Sequence, residues 1–140
     1  MLKKTFVSLL VCVGLSSGVS AGELKSDMDK LANDLSVLEM GFLTNDKAAT
    51  LSAVQTLRAH VNQYLGDKET VTKLLPAEVK YKASIAINSA KMIDKNVDKI
   101  EKILKDRSMR MINQQMESQK AFLVIQNQCF RCHNLVRDWR

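Results

Sequence analysis

Proline occurs once in the 140 residues and glycine five times, with two of the glycines inside the first 21. A chain so poor in turn formers lacks the punctuation that β-rich folds need, and helices are favoured. Cysteine occurs three times, and two of the three, Cys129 and Cys132, sit in one five-residue motif. No disulfide framework can be built from them. Long hydrophobic runs are missing too. The apolar stretch over residues 6–15, with Ser8, Ser16, Ser17 and Ser20 in and around it, falls short of the roughly 20 apolar residues that a membrane span requires. Otherwise the composition, 46% hydrophobic and 26% charged, is that of an ordinary globular domain.

The chain opens with the basic start Met1-Leu2-Lys3-Lys4, then the short apolar run, then small residues ending Val19-Ser20-Ala21. This three-part order predicts a secretory signal over residues 1–21, cleaved after Ala21, and a periplasmic mature chain of residues 22–140 with no stable membrane insertion. A lipoprotein reading of Cys12 fails because bulky Val11 precedes it. Losing Lys3 and Lys4 lowers the formal charge from +6 to +4. A mild charge on an exported protein argues against a nucleic-acid partner.

Four amphipathic seams follow. Leu24, Met28, Leu31, Leu35, Leu38 and Phe42 alternate steps of four and three, as a core-facing helix does. After the turn formers Thr44-Asn45-Asp46, a second seam runs Leu51, Val54, Leu57, Val61 and Tyr64 up to Gly66, read as its stop. Residues 66–75 read as the longest connection, with a short helical turn over residues 69–74. Pro76 suits the first position of a third helix, whose seam is Val79, Ala83, Ala86, Ala90, Ile93, Val97, Ile100 and Leu104. Asp106 or Ser108 is then placed to cap a fourth, carrying Met109, Ile112, Met116, Leu123, Cys129, Cys132, Val136 and Trp139. Helices of this length on short links predict an all-α fold, an antiparallel up-down-up-down four-helix bundle.

Near the end stands Cys129-Phe130-Arg131-Cys132-His133. On a helix, residues three and four apart share a face, so two thiols and an imidazole project together. That arrangement suits two thioether bonds to the vinyl groups of one porphyrin and an axial nitrogen for its iron, and Cys-x-x-Cys-His is the attachment sequence for haem c. Three other readings fit less well. A thioredoxin-like pair belongs beside a parallel sheet, a structural zinc site wants four ligands, and a disulfide within the motif leaves His133 without a role.

A chain of this kind, with its single haem-binding histidine a few residues from the C-terminus, resembles the cytochrome c-prime and cytochrome b-562 group over residues 22–140. Arg137, four residues after His133, matches the family's pattern, and residues 23–31 are similar to the opening helix of the b-562 branch. The resemblance implies a methionine ligand at Met28, with a covalently attached haem on the c-prime pattern. It also admits a homodimer through the first two helices.

The alternating bundle leads to the same residue by placing the start of the first helix beside the end of the last. His133 then lies level with Leu24, Met28, Val61, Tyr64, Val79 and Ala83, and Met28 is the thioether of that layer. The bland reading is that Met28 fills core space. His60 is a rival ligand, read instead as a solvent-exposed side chain beside the seam. For Ala83, Ala86 and Ala90 two readings stand side by side, helix propensity and room for a flat macrocycle. Arg137 is read either as a propionate partner or as a solvated cation at the helix end. The sequence thus predicts a periplasmic monohaem electron carrier, not an enzyme, with one haem c bound by Cys129, Cys132, His133, Met28 and Arg137 and redox proteins as partners. The alternative is a c-prime-type cytochrome with an open sixth position that binds nitric oxide or carbon monoxide.

Overall fold

The computed structural model describes residues 21–136. Five α-helices and one 3-10 segment follow in order: α1 Ala21–Leu43, α2 Lys47–Leu65, α3 Lys68–Leu74, the 3-10 segment Ala77–Lys82, α4 Ala83–Lys105 and α5 Met111–Val136. No strand occurs among the described residues, so this part of the chain is all-α. Residues 1–20 of the expected signal, and Arg137 and Trp139 at the other end, lie outside the described residues.

Local chemistry sets the joints. The α1–α2 link passes through Asn45 at φ 54°, a left-handed conformation that asparagine tolerates. Asp46 then caps α2, its carboxylate accepting from Ala49 N at 2.9 Å. Gly41 lets the joined ends approach, because a Cβ there would stand 2.7 Å from Thr50 Oγ1. Gly66 is right-handed, at φ −72°, so α2 does not stop by a left-handed glycine turn. The stop comes from Asp67, which caps α3 by accepting from Glu69 N at 2.8 Å and Thr70 N at 3.0 Å.

Three expectations need correction. The third helix does not start at Pro76. No side chain caps that end, and the first turn tightens into a 3-10 segment, with Val79 N donating to Pro76 O at 3.0 Å, before α4 begins at Ala83. The last seam is also phased differently. Gln114, Ser118, Ala121, Phe122 and Ile125 are buried, whereas Ile112, Met116 and Leu123 are more than half exposed. Two polar residues enter the core because each is bonded locally: Ser118 Oγ donates to Gln114 O at 2.6 Å, and the Gln114 side chain donates to Asp106 O. Neither Asp106 nor Ser108 caps α5. They bond each other instead, at 2.6 Å.

Every residue of the third seam is in the core, as are Val54, Leu57, Val61 and Tyr64 of the second and Leu38 and Phe42 of the first, while Leu24, Met28, Leu31, Leu35 and Leu51 are half-buried. Each fully buried aliphatic side chain stabilises the fold by about 1.5–3 kcal/mol relative to exposure. α4 packs along α5, α1 along α2 and α2 along α4, while α1 and α5 meet only sparsely. Arg58 of α2 ties α4 by pairing with Asp94 at 3.5 Å, Glu101 at 3.2 Å and Asp98. At one end of the molecule Phe42 meets Phe122 and Lys47 donates to Gln114 at 3.2 Å. At the other, Leu24, Leu65, Val71, Val79, Ala83 and Cys132 gather.

Candidate functional site

The motif lies near the end of α5, with Cys129, Cys132 and His133 all half-buried. Both cysteines are free thiols. They occupy different parts of the interior. Cys129 packs on the larger buried cluster, which includes Val61, Ala90 and Ile125, and Cys132 packs on the smaller one, which includes Val79, Ala83 and Ala86.

The same division appears on every neighbouring helix. On α1, Leu24 packs on the smaller cluster and Leu31 on the larger. On α4, Ala86 belongs to the smaller and Ala90 to the larger, and Leu65 at the end of α2 touches both. A break in the core therefore runs through the Cys129–Cys132 step, the Ala86–Ala90 turn, Leu65, and the stretch of α1 that carries Met28. Met28 is half-buried and, among the described residues, belongs to neither cluster. Met40, at 56% exposed, lies far along the same helix.

Burial pushes the Cys129 thiol up to about 11, with the neighbouring Cys132 adding to the effect, and burial alone raises Cys132. Two thiols that hold their protons at neutral pH are poor disulfide-exchange nucleophiles, which need lowered values. Among the described residues no strand flanks them. Among the described residues no group of three or more His, Cys, Asp or Glu side chains is gathered to hold a metal by itself. No family model, curated protein or solved structure matches this chain.

His60 is not the solvated side chain its place beside the seam suggested. Its Nδ1 donates to Asp34 Oδ2 at 2.6 Å, its ring stacks on Tyr64 with centroids 5.5 Å apart, and Asp34 is only 7% exposed. The correction follows from burial, because a carboxylate sunk between α1 and α2 requires a donor. A groove of about 540 Å³ opens beside this pair, lined also by Lys25, Ser26 and Lys30. Asp34 was overlooked, although it stands three residues after Leu31 and four before Leu38 and so shares their face. Gln128, next to Cys129, was also overlooked, and its Oε1 is buried without a hydrogen-bond partner. Arg137 lies outside the described residues.

Proposed function

We propose that this chain is a periplasmic monohaem c-type cytochrome that carries single electrons, with haem c attached through Cys129 and Cys132. The observation that carries the reading is that the two thiols flank the break in the core, at the level where α1 brings a half-buried thioether free of both clusters. The donor set fits the group: two unpaired thiols and an imidazole on one helix end, with alanine on α4 facing the same level.

In this reading His133 and Met28 would hold the iron, and Arg137 would pair with a propionate. A bound haem would supply a ferrous–ferric couple, and a methionine ligand raises its potential relative to an all-nitrogen site. Cys129 and Cys132 would hold the group by thioether bonds, each thiol adding across one vinyl group. The protein's own work is to orient the two ligands and exclude water. We read α1, α2, α4 and α5 as an antiparallel up-down-up-down bundle, supported by the short links at residues 44–46 and 106–110 and by the ends that meet. Redox proteins are the proposed partners, and a homodimer through α1 and α2 is compatible with Val37 and Met40, each about half exposed.

A second reading keeps the sixth position open for nitric oxide or carbon monoxide. What favours it is that, among the described residues, Met28 packs on neither cluster. The experiment for the main proposal is export in a host that attaches haem c, followed by haem staining after denaturation. Wild type should stain, Cys129→Ala/Cys132→Ala should not, and an unstained wild type would overturn the proposal.

A further inference from the structure

α1 packs along α2 and meets α5 only sparsely. At 3.6 residues per turn, Leu31, Leu35 and Leu38 form the middle of its inner face, with Asp34 roughly 70° to one side of that middle and Met28 roughly 50° to the other. The Asp34 side is turned to α2, because its carboxylate accepts from His60 Nδ1 of that helix at 2.6 Å. Phe42, roughly 40° round from Met28, meets Phe122 of α5, so Met28 is on the flank turned toward α5. Any rotation of α1 about its own axis that shifts Asp34 from His60 therefore swings Met28 by the same angle.

The bond is built to hold direction. Asp34 is only 7% exposed, and the ring of His60 is itself held by stacking on Tyr64, with planes 24° apart. Lys30 of α1 lies over the same Tyr64 ring, 5.2 Å from its centroid. Lys30 and Asp34 are four apart on α1, and His60 and Tyr64 are four apart on α2, so each pair shares a face and the two close on each other as a clamp of two rungs. Asp34 stands six residues beyond Met28, about 9 Å along the axis. Met28, among the described residues, packs on neither core cluster, so its aim is set by the rotation of α1 and not by neighbours of its own. The leucine seam beside it attracts without direction.

We propose that Asp34 and His60 are positioning residues for Met28, fixing the rotation of α1 so that the thioether is aimed at the iron site; the inference rests on the reading of Met28 as an iron ligand. An apolar pair in their place would hold the two helices together at least as firmly, because a buried carboxylate costs desolvation that a leucine does not. What the bonded pair adds is an angular preference, since a hydrogen bond weakens steeply as it bends. A bond to a charged group favours one arrangement over its alternatives by about tenfold or more. That factor is the margin by which Met28 holds its place against a competing ligand.

The test is titration of the matured ferric protein with imidazole at neutral pH, followed by absorption, because imidazole reaches the iron only when Met28 leaves it. Asp34→Ala and His60→Ala should each bind imidazole about tenfold more tightly than wild type, and Asp34→Asn, which keeps an acceptor for Nδ1, should stay within about threefold. Asp34→Leu/His60→Phe keeps the helices packed while removing the directed bond, and should show the same rise as the alanine variants. Ile100→Val, which loosens the fully buried core of α4, should leave the affinity at its wild-type value. An unchanged affinity in Asp34→Leu/His60→Phe would overturn the proposal whether or not the alanine variants fold, and so would an equal rise in Ile100→Val. A wild type that shows the thioether-to-iron band but no such effect overturns the positioning role alone, whereas a wild type without the band overturns the Met28 reading and this inference with it.

Discussion

Phe42 of α1 and Phe122 of α5 meet with ring centroids 5.5 Å apart and planes tilted by 51°. The pair sets the register of two helices that otherwise touch little. Met28 lies fourteen residues before Phe42 and His133 eleven after Phe122, roughly 21 and 16 Å along the two axes. On the helical wheel each falls within roughly 40° of its phenylalanine. Leu24 and Cys132, packed on one cluster, show that the start of α1 lies at the end of α5. Replacing Phe122 with alanine should therefore do two things. It should cost about 3–5 kcal/mol in denaturant unfolding, and it should loosen the register between Met28 and His133. A loss below 1 kcal/mol would show that this contact does not hold α1 to α5.

The apoprotein's thiols give a pH-dependent signature. Cys129 sits at about 11 against an ordinary 9.0, so the fold favours its protonated form. That preference is complete below pH 9 and is lost as pH rises through 11, on the order of 2 kcal/mol. Denaturant midpoints of the apoprotein should fall over this window, and Cys129→Ala should flatten the fall. Alkylation of Cys129 should accelerate with the same midpoint. A midpoint near 9 would mean the thiol is not buried.

Asp34→Ala removes the acceptor for His60 and should destabilise the protein by about 1–3 kcal/mol, because a half-buried ring loses its partner. His60→Ala leaves a buried carboxylate without its donor and should cost at least as much at neutral pH. Urea unfolding of both variants checks this, and two unchanged midpoints would show the bond to be a surface contact of no weight.

Most of the helical architecture was legible because three seams are driven by burial alone. From Val79 to Leu104 every residue of the apolar seam is buried, with Ser89 and Asn96 buried beside them. The last helix misled for a physical reason: it carries two apolar stripes, and Gln114 and Ser118 enter the core through local hydrogen bonds that spacing cannot reveal. The 3-10 turn after Pro76 turns on a missing cap, and the His60–Asp34 bond on a carboxylate hidden at a seam position. In the candidate site, Cys129, Cys132 and His133 could be picked out by spacing. The break in the core between the two thiols could not, because it depends on which cluster each neighbouring helix joins.

The most direct test of the central claim is the visible absorption spectrum of the purified, matured protein, ferric and ferrous, at neutral pH, compared with that of Met28→Ala. Six-coordinate low-spin haem is predicted, with a thioether-to-iron charge-transfer band at the red end of the ferric spectrum. In Met28→Ala that band should vanish, the ferric iron should turn high-spin, and the ferrous form should take up carbon monoxide. A wild-type spectrum already high-spin, or a band that persists in Met28→Ala, would contradict Met28 as ligand, and a protein with no haem absorption would contradict the account as a whole.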